Sequence, residues 1–193
     1  MLENLSKYRI VLASNSPRRK ELLSGLGIEY KVMTLKDIDE SYPSSLKGEE
    51  IPIYISSQKA KAYDAILEDD MLIITADTIV YQDNEVLGKP KDETEACCML
   101  KKLSGRTHEV ITGVTLKTKS FCSSFAVTSL VTFDLLNEDE IDFYVKNYRP
   151  MDKAGAYGIQ EWIGFIGVKS LNGSYFNVMG LPVQRLYQEL KKL

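Results

Sequence analysis

The order of segments along the chain predicts an α/β fold, a mixed twisted sheet with flanking helices. Short apolar runs that read as buried strands, above all Met71–Ala76, alternate with stretches of helical periodicity. Helix starts are marked at several places, by Ser16-Pro17, by the Asn137-x-x-Glu140 spacing of a capping box and by Pro182. The length of 193 residues suits one domain, 1–193, with room for two lobes around a cleft and for a sizeable core.

Arg9–Ala13 (RIVLA) is an apolar run entering the sheet. Ser16 follows as a helix N-cap with Pro17 at the first helical position, Leu22, Leu23 and Leu26 at helical spacing, and Gly27 as the stop. Tyr30–Met33 reads as a second strand, and the polar stretch 34–48 as a long loop of the kind that is usually functional or mobile. Glu49–Leu67 reads as a helix with Ile51, Tyr54, Ile55, Ala62 and Ile66 inward. Met71–Ala76 is the central strand, ending at Asp77, and Ile79–Tyr81 with Glu85–Leu87 form a short hairpin. Asp92–Leu103 is helical, with acids in its first turn and lysines in its last. His108–Thr118 and Phe121–Leu135 are long strands; on the second, Phe125, Val127, Val131, Phe133 and Leu135 share a face. A helix from Asn137 to about Lys146, a Gly-rich stretch 154–173, and a helix from Pro182 to Leu193 complete the chain.

The formal net charge of -3 gives no global attraction to nucleic acid or an anionic membrane, so an anionic ligand needs a local cationic site. No apolar run approaches the roughly 20 residues of a membrane span, and no signal-peptide h-region is present, so a cytoplasmic location is expected. Three cysteines, two of them adjacent, read as small buried thiols in a reducing compartment.

That local cationic site is found at Ser14-Asn15-Ser16-Pro17-Arg18-Arg19. A strand running into this turn sets free amides, the Ser14 and Ser16 hydroxyls and two guanidiniums at a helix N-terminus, where they suit phosphate oxygens. Cations there oppose the helix dipole unless an anion lies in front of them. Two solvated arginines after an ordinary cap would give the same pattern. Asp77 and Thr78 follow the central strand, where ligands of open α/β sheets gather; a turn aspartate bonding its own backbone is the plainer alternative. Lys89, between Gly88 and Pro90, sits on stiff extended backbone that could aim an ammonium. Lys59 reads as a helix-surface lysine, and Glu40 as part of an acidic loop that could supply a metal ligand. Gln160 follows small residues that permit close backbone approach to a ligand. His108, the only histidine, reads as structural. No Walker A, dinucleotide-binding, zinc or nucleophile-elbow motif is present.

Together, Leu12–Arg19, Ala76–Val80, Gly88-Lys89-Pro90 and Lys153–Gln160 resemble the Maf family of nucleotide pyrophosphatases. Leu103-Ser104-Gly105, Thr112-Gly113-Val114, Asn172–Tyr175 and Gly180-Leu181-Pro182 match further segments in order. The resemblance implies an inosine triphosphate pyrophosphatase-like fold, a homodimer, and Mg²⁺- or Mn²⁺-dependent hydrolysis of nucleoside triphosphates to monophosphate and pyrophosphate. It implies Asp77 as proton acceptor, with Ser14, Arg18, Arg19, Lys59 and Lys89 at phosphate-handling positions and Glu40 near the metal. Arg18, Thr78 and Gln160 match the subgroup that prefers dTTP and UTP. A purine-directed pyrophosphatase and a nucleotide-binding regulator of division remain as alternatives. Asn15 stands where many relatives have glycine, and Glu161-Trp162 where a small residue is expected.

Overall fold

Strand β1 (Arg9–Leu12) forms where Ile10, Val11 and Leu12 can all be buried, and it lies between two parallel neighbours. The structure is a computed structural model describing residues 2–193. Its strands form one seven-stranded mixed sheet. Along the sheet the order is β2 (Lys31–Val32), β1, β3 (Met71–Gln82), β5 (Thr107–Lys117), β6 (Cys122–Phe133) and β7 (Val168–Asn172), with β4 (Glu85–Leu87) paired to β3. β1 is parallel to β2 and β3, whereas β4 runs antiparallel to β3 and β7 to β6.

β3 corrects the sequence reading in one respect that matters for chemistry. The central strand does not stop at Ala76 but continues for 12 residues to Gln82, and Asp77 lies in its middle. At its far end β3 turns back into β4 through Asp83 and Asn84, both left-handed, as a two-residue hairpin requires. β1 ends at Leu12, opposite Ile74, so Asp77 lies three residues beyond the end of its neighbour. Relative to β1, the aspartate is therefore still at the carboxyl end.

The described chain divides into two compact units: residues up to Asp77 with Thr112–Val127 and Gly180–Leu193, and Thr78–Ile111 with Thr128–Met179. The first unit holds helices α1 (Pro17–Ser24), α2 (Glu50–Lys61) and α7 (Val183–Leu190). α1 starts as read, with the Ser16 hydroxyl accepting from Arg19 N at 3.4 Å. In α2, Ile51, Ile55 and Ala60 are buried, and Tyr63 follows them inward. Ala62 and Ile66, expected inside, are exposed because the helix ends at Lys61 and the chain turns. Tyr63 packs with Val11, Met71 and Ile73, and its hydroxyl donates to Met33 O (2.7 Å) and accepts from Leu35 N (3.2 Å). That anchors the start of loop 34–48, and Ile38 packs on the same cluster.

The second unit holds α3 (Glu93–Leu103), capped by Asp92, and α4 (Glu138–Tyr148), whose Asn137/Glu140 capping box forms as the spacing predicts. The Gly-rich stretch contains more structure than its composition suggests, with α5 (Trp162–Gly167) and β7, and α6 (Tyr175–Met179) follows it. Leu135, expected on the buried face of β6, lies past the strand end and is 81% exposed. The cysteines are not the buried thiols expected: Cys98 and Cys122 are exposed and Cys97 is half-buried. No helix among the described residues is long and apolar enough to cross a membrane.

His108 is structural. It is buried against Phe133 and Tyr157 in edge-on ring contacts, with Nε2 at 2.7 Å from the Tyr157 hydroxyl. Burial disfavours the imidazolium and pushes its pKa down to about 4. Between that value and the unfolded value near 6.5 the unfolded chain binds the extra proton, so this residue's contribution falls as pH drops through the window. A loss of about 3 kcal/mol from this group is expected between pH 6.5 and 4. Urea titrations of wild type and His108→Gln across that range should diverge by about this amount; parallel curves would contradict the assignment.

Candidate functional site

In the first unit, three elements bring side chains together around Asp77. The carboxylate is nearly buried, on a strand whose neighbours Ile74, Thr75 and Ala76 are buried too. A charge in such surroundings needs a partner. Lys59 supplies it from α2, with Nζ 2.8 Å from Asp77 Oδ1, and both side chains are only 13% exposed. The same ammonium lies 2.9 Å from Glu40 Oε1, brought in by the long loop. Lys59, read from sequence as a surface lysine, is thus the cation on which two carboxylates converge.

The strand-to-helix turn contributes the other half. Ser14 is buried and its Oγ accepts from Ser16 N at 3.2 Å, while Ser16 caps α1. Each hydroxyl accepts in these bonds, so its proton remains to be donated. Asn15 does not use left-handed backbone; its amide donates to Thr34 Oγ1 at 3.1 Å. Arg18 is half-buried on the first turn of α1. Arg19 turns inward, with Nε donating to Gly180 O (2.8 Å) and Nη1 to Ala76 O (2.9 Å). Burial lowers its pKa, and the charges of Asp77 and Glu40 act against that shift. So Arg19 ties α1 to the residue preceding Asp77, and its charge is felt by both carboxylates.

Sequence reasoning missed what holds Lys59 against Asp77. Thr75, two residues before Asp77 on the same strand face, donates from Oγ1 to Ser56 O at 2.7 Å. Ser56, one helical turn before Lys59, donates its hydroxyl to Ile53 O (3.0 Å) and so accepts from Thr115 at 3.0 Å. Thr115 in turn contacts the Ser124 hydroxyl at 2.8 Å. Beside this seam the backbone of α2 lies directly on Gly113: a Cβ there would stand 2.3 Å from the Pro52 carbonyl. The signal in the sequence was the pairing of spacings, Ser56 with Lys59 and Thr75 with Asp77, but nothing local joins one pair to the other.

The second unit carries Thr78, Lys89 and Gln160. Thr78 is the next residue of β3. Lys89 follows β4, and the preceding carbonyl, Gly88 O, accepts from Gly155 N at 3.0 Å. Gly155 is left-handed and too close to Val80 for a side chain, which would meet Val80 Cγ2 at 2.8 Å. The Lys89 segment is thereby fastened to the segment that ends at Gln160. The Gln160 Oε1 atom is buried and lacks a hydrogen-bond partner. Glu161 bonds Lys153 Nζ at 3.0 Å and the Tyr144 hydroxyl, and Trp162 stacks obliquely on Phe143.

The sequence model of the family described as "Maf-like protein" matches residues 9–193. The chain belongs to the Maf family. Among curated Maf relatives, the dTTP/UTP pyrophosphatase of Phocaeicola vulgatus is 65% identical over the whole of both chains. A protein of the same name from Bacteroides thetaiotaomicron is 62% identical, again over the whole of both chains. Among solved structures, a HAM1 protein from Coxiella burnetii aligns with a TM-score of 0.51 at 14% identity, covering 96% of this Maf chain and 100% of its own. That likeness shows a shared fold.

Proposed function

We propose that this chain is a dTTP/UTP pyrophosphatase, hydrolysing the bond between the α- and β-phosphates to release the monophosphate and pyrophosphate. The observation that carries this reading is the Asp77–Lys59–Glu40 cluster, 2.8 and 2.9 Å across its two ion pairs, beside a helix N-terminus rich in donors. The names of relatives identical at 65% and 62% support the substrate.

Asp77 accepts the proton of a water that attacks phosphorus. Lys59 holds that carboxylate in one orientation and, with Lys89, offsets charge on the phosphates and on departing pyrophosphate. The α1 amides, the Ser14 and Ser16 hydroxyls and the Arg18 guanidinium receive phosphate oxygens. Arg19, with two donors committed to backbone carbonyls, adds charge and fixes the turn. Thr78, Gln160 and Arg18 select the base. Uracil and thymine present an acceptor–donor–acceptor edge, to which a carboxamide such as Gln160 offers one donor and one acceptor.

The donor set also suits a divalent cation. Glu40 and Asp77 present hard carboxylate oxygens converging on one positive charge, and Mg²⁺ is usually held by one or two carboxylates together with substrate phosphates. Glu40 and Asp77 would hold Mg²⁺ or Mn²⁺, which supplies charge neutralisation at the phosphates when bound. The same reading is of a cytoplasmic homodimer acting on free nucleotides, without nucleic-acid or membrane partners.

A panel of dTTP, UTP, dCTP, CTP, ATP and GTP with Mg²⁺ or Mn²⁺, followed by pyrophosphate release, tests it. Fastest turnover is expected for dTTP and UTP. Faster purine turnover would overturn the base preference, and no release with any nucleotide would favour a regulator.

A further inference from the structure

The segment from Lys153 to Glu161 carries Gln160 and is held in a conformation that its own sequence does not favour. Gly155 (φ 66°) and Ala156 (φ 58°) are consecutive left-handed residues, and alanine keeps that backbone only where its surroundings enforce it. The enforcing contacts lie within the second unit. The two ends of the segment are joined by the Lys153 Nζ–Glu161 Oε1 ion pair at 3.0 Å, with Lys153 itself buried and also bonded to Asp152 at 2.8 Å. From α4, the fully buried Tyr144 hydroxyl donates to Glu161 Oε2 and accepts from Gly158 N at 3.0 Å. Burial and the Glu161 carboxylate both raise the Tyr144 pKa, so the phenol stays a donor. On the far side, Gly164 of α5 lets the Ile159 carbonyl pass where a Cβ would stand 1.8 Å away. Gln160 thus sits between two neighbours fixed from independent directions.

We infer that Tyr144, Glu161 and Lys153 form a clamp that fixes the backbone carrying Gln160, limits how its carboxamide meets a base, and so sets the preference for uracil and thymine over cytosine. The inference rests on the reading of Gln160 as a base-selecting residue. Its chemistry is specific. A carboxamide held one way round offers an acceptor to the N3–H of uracil or thymine and a donor to O4. Turned over, it offers a donor to cytosine N3 and an acceptor to the N4 amine. A rigid segment limits the carboxamide to one approach to the base; a loosened one allows both. Tyr144, Glu161 and Lys153 are positioning residues and need touch no part of the nucleotide.

The experiment is the ratio of kcat/KM for dTTP over dCTP in wild type, Tyr144→Phe, Glu161→Gln and Gln160→Ala, with thermal unfolding of each. Tyr144→Phe keeps the ring and removes the bridge between Glu161 and Gly158. It should lower the ratio by about tenfold, through a raised KM for dTTP, with kcat within about twofold. Glu161→Gln keeps an acceptor for Tyr144 but loses the charge opposite Lys153, and should fall between. A wild-type ratio in both folded variants, when Gln160→Ala collapses it, overturns the clamp alone. A wild-type ratio in Gln160→Ala overturns the base-selecting role of Gln160 and the clamp with it.

Discussion

Asp77→Asn is expected to lower pyrophosphate release by roughly 10²–10⁴-fold, the range for removal of a positioned general base. The substitution is isosteric, and Lys59 keeps its ion pair with Glu40 at 2.9 Å, so its ammonium is not left alone in a nearly buried site. Unfolding should therefore change little, and nucleotide binding should persist because the donors of the Ser14–Arg19 turn are untouched. The measurement is kcat and KM for dTTP alongside a denaturation curve. Turnover at the wild-type rate would remove Asp77 from the chemistry.

Gly113→Ala is the second large effect, and it acts at a distance. The added methyl would meet the Pro52 carbonyl at 2.3 Å and Ile53 N at 2.5 Å, both of them backbone atoms that cannot rotate aside. Relief to ordinary contact requires α2 to move by about 1 Å, at a cost of about 1–3 kcal/mol. The same motion strains Thr75 Oγ1 to Ser56 O and carries Lys59 away from Asp77. A displacement of that size in a catalytic group can cost about 10²-fold in rate. Low-temperature assays, where the variant is still folded, separate the two consequences. A folded variant with wild-type kcat would show that the α2–sheet spacing does not set the geometry of the Lys59–Asp77 pair.

Features that depend on neighbours in sequence were legible before the fold was known. The Ser16 cap, Pro17 at the first helical position, the Asn137/Glu140 capping box and the β3–β4 hairpin all follow from local hydrogen bonding and backbone preference. The donor-rich strand-to-helix turn at Ser14–Arg19 was visible for the same reason. What escaped was set by contacts between distant segments. Asp77 was read as the end of a strand because the polar pair Asp77-Thr78 looks like a break between Met71–Ala76 and the hairpin strand Ile79–Tyr81, which are one strand. Lys59 looked like a surface lysine because the carboxylates that bury it come from a loop and a strand elsewhere in the chain. Gly113 carried no local turn signal, since its role is the close approach of Pro52. The helix α5 and strand β7 were missed because both are short and lie in glycine-rich sequence. The substrate was legible only through the family resemblance. No arrangement of hydroxyls, cations and two carboxylates distinguishes cleavage between α- and β-phosphates from loss of the terminal phosphate.

Product identity is therefore the most direct test of the central claim. With dTTP and Mg²⁺, chromatography should show dTMP and pyrophosphate appearing in equal amounts from the first time point, without dTDP or orthophosphate as intermediates. Accumulation of dTDP with orthophosphate would contradict it.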